Sequence, residues 1–221
     1  MRHALFVAAL VVVAGAAGCR PDAGPNNYAN QEMFPDGGDA PLPGPDPYVP
    51  GTPRLNLGAF YEGQASQTIV IDNITTHLYV YQVGTGANAM NTANLLPDPD
   101  RVEGLTSTQI IDAGLGFVGL GINWDAPHDL STWTKMHVSL KSKDSAYATL
   151  MLGIDAKTIY LDPTKYGYVN DGQWHNIIIP LADYVAGGVD LTMVDAPFVI
   201  NAGAGVAGDS LLVDDLFWSA D

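Results

Sequence analysis

The 221 residues include 24 acids against 9 Lys and Arg, a formal net charge of −15. That acidity excludes a nucleic-acid partner, which needs a basic face, and one cysteine excludes a disulfide scaffold or a multi-cysteine metal site. At 47% hydrophobic and 9% aromatic residues, wholesale disorder is excluded too, and there is room for one good-sized domain or two small ones.

In chain order, the first elements are an address and a spacer. Arg2 and His3 precede an uncharged run from Ala4 to Ala14, followed by Gly15-Ala16-Ala17-Gly18-Cys19. The run falls short of the roughly 20 apolar residues a membrane-spanning helix needs. Residues 1–18 therefore read as an export signal. The ending Ala16-Ala17-Gly18-Cys19 resembles the lipobox of bacterial lipoproteins. The resemblance implies that Cys19 is lipidated and becomes a membrane-anchored N-terminus. The alternative is an ordinary signal peptide with an incidental cysteine. The lone thiol favours the lipobox, because an unpaired cysteine in an exported protein is a liability unless consumed. Arg20 follows it, rather than the Asp that retains some lipoproteins at the inner membrane. By that resemblance the protein belongs to the bacterial cell envelope, at the outer membrane.

Residues 19–53 carry nine prolines, from Pro21 to Pro53, interleaved with glycines and with Asp22, Asp36, Asp39 and Asp46. Proline removes amide donors and fixes φ, so helix and inner strand are both disfavoured. The segment reads as a disordered, semi-extended linker. Extended at roughly 3 Å per residue, it reaches up to about 100 Å from the lipid.

The remaining stretch, 54–221, is read as one all-β domain. Period-two alternation predicts strands at Thr68–Asp72, His77–Val83, Lys135–Ser142, Ala146–Ile154, Trp174–Ile179, Phe198–Asn201 and Ser210–Trp218. Asn170-Asp171-Gly172 and Gly187-Gly188 are turn signals, and Pro180 to Ala186 holds at most one helical turn. Short strands separated by turns predict an antiparallel β-sandwich of the jelly-roll kind.

Several motifs sharpen this. Asp129-Leu130-Ser131-Thr132-Trp133 leads into Met136–Ser142. Asp171-Gly172-Gln173-Trp174-His175 precedes Ile179-Pro180-Leu181, then come Ala196-Pro197-Phe198 and Val213-Asp214-Asp215-Leu216. In that order they resemble galactose-binding-like jelly rolls: the carbohydrate-binding modules of glucanases and the C-terminal domain of some exo-glucanases. The likeness spans roughly Gly121 to Trp218, and Glu62 extends it to the first strand. It implies a carbohydrate-binding fold. It also implies a structural calcium joining an acid on the first strand to one near the last, here Glu62 with Asp214 or Asp215.

Simple alternation on the last strand puts Leu211, Val213, Asp215 and Phe217 on one face and Leu212, Asp214, Leu216 and Trp218 on the other. Both faces are mostly apolar, so one aspartate is expected against the core, compensated by a cation or by hydrogen bonds. A solvated acid pair at the strand end is the alternative.

For a sugar site, aromatic faces should stack on ring C–H patches while planar polar groups take the hydroxyls. Gly114 to Gly121 is a glycine-rich approach to Asn123-Trp124-Asp125 and His128. Tyr160, Tyr166 and Tyr168 form a second aromatic group on an expected loop; the alternative for all of these rings is packing beneath loops. Trp133 and Trp174 are assigned to the core.

Catalysis finds little support. Glycoside hydrolysis needs two carboxylates flanking a cleft, and neighbouring Asp214 and Asp215 point apart on a strand. No nucleophile elbow, His-Glu-x-x-His pair or phosphate loop occurs, and His77, His128, His137 and His175 are scattered. The sequence therefore reads as a lipid-anchored surface protein with a non-catalytic domain that binds polysaccharide. A structural or adhesion lipoprotein contacting another surface protein is one alternative, and a glycan-active hydrolase the other.

Overall fold

The computed structural model describes residues 54–57, 68–71, 74–84, 87–90, 95–102, 106–155, 159–203 and 205–220. The export signal, Cys19, the linker and Glu62 lie outside them.

The strands are β1 (Arg54–Asn56), β2 (Thr68–Ile71), β3 (Ile74–Gly84), β4 (Ala87–Met90), β5 (Leu95–Asp98), β6 (Ser107–Ile111) and β7 (Val118–Trp124). There follow β8 (Lys135–Lys141), β9 (Met151–Ile154), β10 (Ile159–Leu161), β11 (His175–Pro180), β12 (Phe198–Ala202) and β13 (Ser210–Ser219). Among the described residues one short α-helix, α1 (Leu181–Ala186), leads away from β11.

Two sheets form, and every strand pairing among the described residues is antiparallel. The first runs β11-β8-β13-β6-β5, with β1 also on β13; the second runs β10-β9-β12-β7-β3-β2, with β4 also on β3. The fold is a β-sandwich. Its single main core draws Met136, Val138, Leu140, Leu211 and Val213 from one sheet and Leu120, Ile122, Leu152, Phe198 and Ile200 from the other. Each such side chain contributes about 1.5–3 kcal/mol when fully buried.

Strand β13 is the spine of the first sheet. One edge pairs β8 along its length, and the other is shared: Ser210–Val213 pair β6, while Phe217–Ser219 pair β1. Against β8 the register slips between Asp214 and Phe217, and Asp215 takes a left-handed φ of 50°. This is a β-bulge, one extra residue on β13. It overturns the simple alternation expected of the strand: Leu211 and Val213 before it and Leu216 and Trp218 after it all join the core.

On the other side of the sheet, Arg54 Nη2 donates to Asp215 Oδ1 at 2.9 Å, with both side chains buried. The guanidinium also lies 3.7 Å from the centroid of the Phe217 ring, which stacks on His137 at 4.3 Å.

Other expectations also needed correction. Ala146–Ile154 is not one strand: a 3-10 turn covers Ser145–Thr149, and only Met151–Ile154 is extended. The Asp209 carboxylate accepts from Ser145 Oγ and the Ala146 amide, holding that turn from a distant loop. The glycine-rich approach is largely β7, a strand with neighbours on both sides, its glycines alternating with Val118, Leu120 and Ile122. Strands β1, β4, β5, β6 and β10 had no clear period-two signal.

Replacing Arg54 by Ala should destabilise the protein by about 3–5 kcal/mol, because the buried Asp215 carboxylate would lose its guanidinium. Urea unfolding measures this; a loss below about 1 kcal/mol would show that the pair matters little.

Candidate functional site

The outer faces of the two sheets are both buried along their central strands, Val199 being 2% exposed on the second, but they differ in composition. On the first sheet, Arg54, His137, Ser139, Asp214, Phe217 and Ser219 face away from the core yet are all buried. Part of the cover is the segment after β5: the Val102 amide donates to Asp214 Oδ2 at 2.6 Å, and Val102 packs with Trp174 and Leu212. Asp100 adds a bond from Trp174 Nε1 at 2.8 Å and an ion pair with Lys141. This side of the sandwich is closed by its own chain.

The outer face of the second sheet has a different composition. The register sets Tyr160 beside Gly153, Gly153 beside Val199, Val199 beside Gly121, and Gly121 beside Tyr79. Two residues along, Met151, Asn201, Gly119 and Tyr81 form a parallel row. At the next level, Asn123 pairs with His77, whose Nε2 hydrogen-bonds Asp125 Oδ1. Tyrosine positions thus stand at both ends of a glycine-valine-glycine floor. Four inter-strand steps of about 4.8 Å put them roughly 19 Å apart.

The glycines are what make the floor low. A Cβ on Gly153 would come within 2.8 Å of Cδ1 and Cε1 of Tyr160, so that ring lies across the glycine. At Gly121, itself buried, an added Cβ would meet Val199 Cγ2 at 3.9 Å, an ordinary van der Waals contact.

The site residues expected from sequence are dispersed by this arrangement. Asn123, Asp125 and Tyr160 belong to this outer face or its end. Trp124 does not: it follows Asn123 by one strand residue, so it turns inward, is 6% exposed and belongs to the main core. The expected stacking plate at Trp124 is therefore a core side chain. His128 packs edge-on against it at 5.1 Å.

The tyrosine group is likewise split. Tyr160 is on β10, whereas Tyr166 ends a 3-10 turn and donates to Asp183 Oδ2 at 2.7 Å. Burial and that carboxylate push the Tyr166 phenol up to about 12. Tyr168 is buried, its hydroxyl donating to Asn170 Oδ1 at 3.0 Å. Of the two core tryptophans, Trp174 is buried under the Val102 segment, and Trp133 packs partly buried against the main core.

Glu62 lies outside the described residues, so the implied calcium position is visible only through its aspartates. Asp215 faces the Arg54 guanidinium, while Asp214 accepts from the Val102 amide through Oδ2 and from the Asp215 amide through Oδ1. Compensation of these buried carboxylates by hydrogen bonds is thus in place.

Alternation in His77–Val83 already sets Tyr79 and Tyr81 on one face of their strand, but it does not join them to Gly119, Gly121 and Gly153. A signal existed: two tyrosines in one phase of β3 and two glycines in one phase of β7. What was missing was the pairing of those strands.

No family model matches the chain, and no curated protein matches it. Among solved structures, it is similar to the exo-1,3/1,4-β-glucanase of a Pseudoalteromonas species, with TM-score 0.47 and 12% identity. That match covers 65% of this chain and 19% of the enzyme. The extra C-terminal domain of the same glucanase gives TM-score 0.45 and 12% identity, covering 66% of this chain and 86% of the domain. A family 30 carbohydrate-binding module gives TM-score 0.45 and 15% identity, covering 65% and 84%.

Since Trp124 fills the core, Trp124→Ala should cost about 3–5 kcal/mol in urea unfolding. An unchanged midpoint would return the indole to the surface.

Proposed function

We propose that the domain binds polysaccharide along the outer face of the second sheet, without chemistry. The observation that supports this is the row Tyr160-Gly153-Val199-Gly121-Tyr79. Aromatic rings offer faces to the C–H patches of sugar rings, and glycines let a flat ligand approach the backbone. Asn123, Asn201 and the His77–Asp125 pair supply planar polar groups beside the row, as an orienting set for hydroxyls. Hydrolysis would need two carboxylates facing across a cleft, whereas Asp125 at the end of this face pairs with a histidine.

The same reading tethers the domain through lipidated Cys19 and the proline-rich linker. Anchoring converts a weak site into a useful one, because many copies on one surface engage one polymer at high effective concentration.

Two measurements test the proposal. On a glycan array followed by calorimetry, Tyr160→Ala and Gly121→Val, once shown to be folded, should each lower affinity at least about tenfold, the first by removing a ring and the second by adding bulk beside Val199. Wild-type-like binding by both folded variants would refute the face assignment. For the anchor, Cys19→Ser should move the protein from the membrane fraction to the soluble one; retention in membranes would refute lipidation at Cys19.

A further inference from the structure

A second site is set away from that face, where the end of β6 meets the loop between β12 and β13. The Asp112 amide donates to the Asp209 carbonyl, and the Gly208 amide to the Asp112 carbonyl, both at 2.8 Å. These bonds hold two carboxylates in one corner. Asp112 is 1% exposed. Its Oδ1 accepts from the Gly114 amide at 2.6 Å, but its Oδ2 is fully buried and receives no hydrogen bond. A desolvated carboxylate oxygen without a donor is costly, so a positive partner belongs there.

The oxygen lies close to Gly205. A Cβ built there would stand 2.2 Å from the Ala146 methyl, 2.7 Å from Asp112 Oδ2 and 2.9 Å from Asp209 Oδ2, so both carboxylates approach the same glycine beside that methyl. Asp209 Oδ2 accepts from the Val206 amide at 3.0 Å, from Ser145 Oγ at 2.9 Å and from the Ala146 amide at 3.3 Å. Those donors, the Val206 amide foremost, hold its carboxyl below the usual range and keep it ionised. Asp144 stands nearby, its Oδ2 accepting from the Ser210 amide at 2.8 Å. Burial first, and then the charges of Asp112, Asp209 and Asp144, hold the Tyr147 phenol well above its ordinary range.

We infer that Asp112 and Asp209 bind a calcium ion against the Gly205 backbone, pinning the sheet-crossing loop to the end of β6. Two carboxylates neutralise a divalent cation, and calcium tolerates the irregular oxygen geometry of a loop better than magnesium does. Among the described residues no three His, Cys, Asp or Glu side chains gather within metal-binding reach. The remaining oxygens, out of about six to eight, therefore come from main-chain carbonyls and water on the solvent side of Asp209. This position differs from the Glu62–Asp214 or Asp215 position, and it does not depend on the polysaccharide reading.

The test uses the full chain, stripped with EDTA and titrated with calcium, while terbium luminescence sensitised by nearby Tyr147 reports occupancy. Calcium should raise the melting temperature of the wild type, and terbium emission should appear and be displaced by calcium. Asp112→Asn should weaken calcium binding by more than roughly tenfold and abolish the emission, yet leave the metal-free melting temperature unchanged or higher. Asp214→Asn should keep the calcium response. If Asp112→Asn does not fold, Asp209→Asn, at a partly exposed position, carries the same expectation. A wild type indifferent to calcium, or a calcium response that survives in the folded Asp112 and Asp209 variants, would overturn the site. So would a melting temperature that rises only with acid, the mark of a proton shared between the two carboxylates.

Discussion

Strand β13 is the constraint from which the rest of the structure follows. It joins three partners in the first sheet, and its bulge at Asp214–Asp215 lets a ten-residue strand keep apolar side chains inward on both sides of a polar pair. Without the extra residue, Leu216 and Trp218 would turn outward and Phe217 and Ser219 inward, because side chains alternate with period two. The bulge also aims the Asp215 carboxylate at Arg54, joining β1 to β13 through a buried ion pair. Such a pair contributes little net stability beside an apolar substitute, but losing one partner is costly. It lies beside the β1–β13 pairing, where Arg54 stands opposite Ser219.

The two outer faces of the sandwich differ in what they carry. The first sheet gives its outer face to internal cover: Val102, Trp174 and Leu212 pack together, and buried polar groups such as Asp214 find main-chain donors. The second sheet keeps glycines in alternate positions of β7, another in β9, and tyrosine positions at either end of the same row. Glycine in a strand weakens it. Here β7 holds because β3 and β12 flank it, so the sandwich supplies the stability that the floor lacks. A glycine-rich outer face and a charged, covered one are thus complementary results of one architecture.

Buried carboxylates meet three different fates in this acidic domain. Asp215 is matched by a guanidinium, Asp214 by backbone amides, and Asp112 by one amide on one oxygen only. The last is the exception among them, and it is placed where the chain crosses between sheets. A cation there would tie that connection to the end of β6.

By itself the sequence determined the all-β class, the strongest strands and the one helical turn. Hydrophobic alternation in Met136–Leu140 and in Ile177–Ile179 is local information, and both segments appear as strands with those side chains in the core. It also carried the tyrosine phase of β3 and the glycine phase of β7, though not their meaning. The fate of Trp124 was undecided locally, since Asn123-Trp124-Asp125 reads equally well with either neighbour outward; pairing with β3 and β12 fixed the phase. The bulge at Asp215, the turn at Ser145–Thr149 and the unpaired oxygen of Asp112 were likewise settled only by partners far away in the chain. Alternation fixes what a segment prefers, but which residues become neighbours depends on long-range pairing, and no local pattern encodes that.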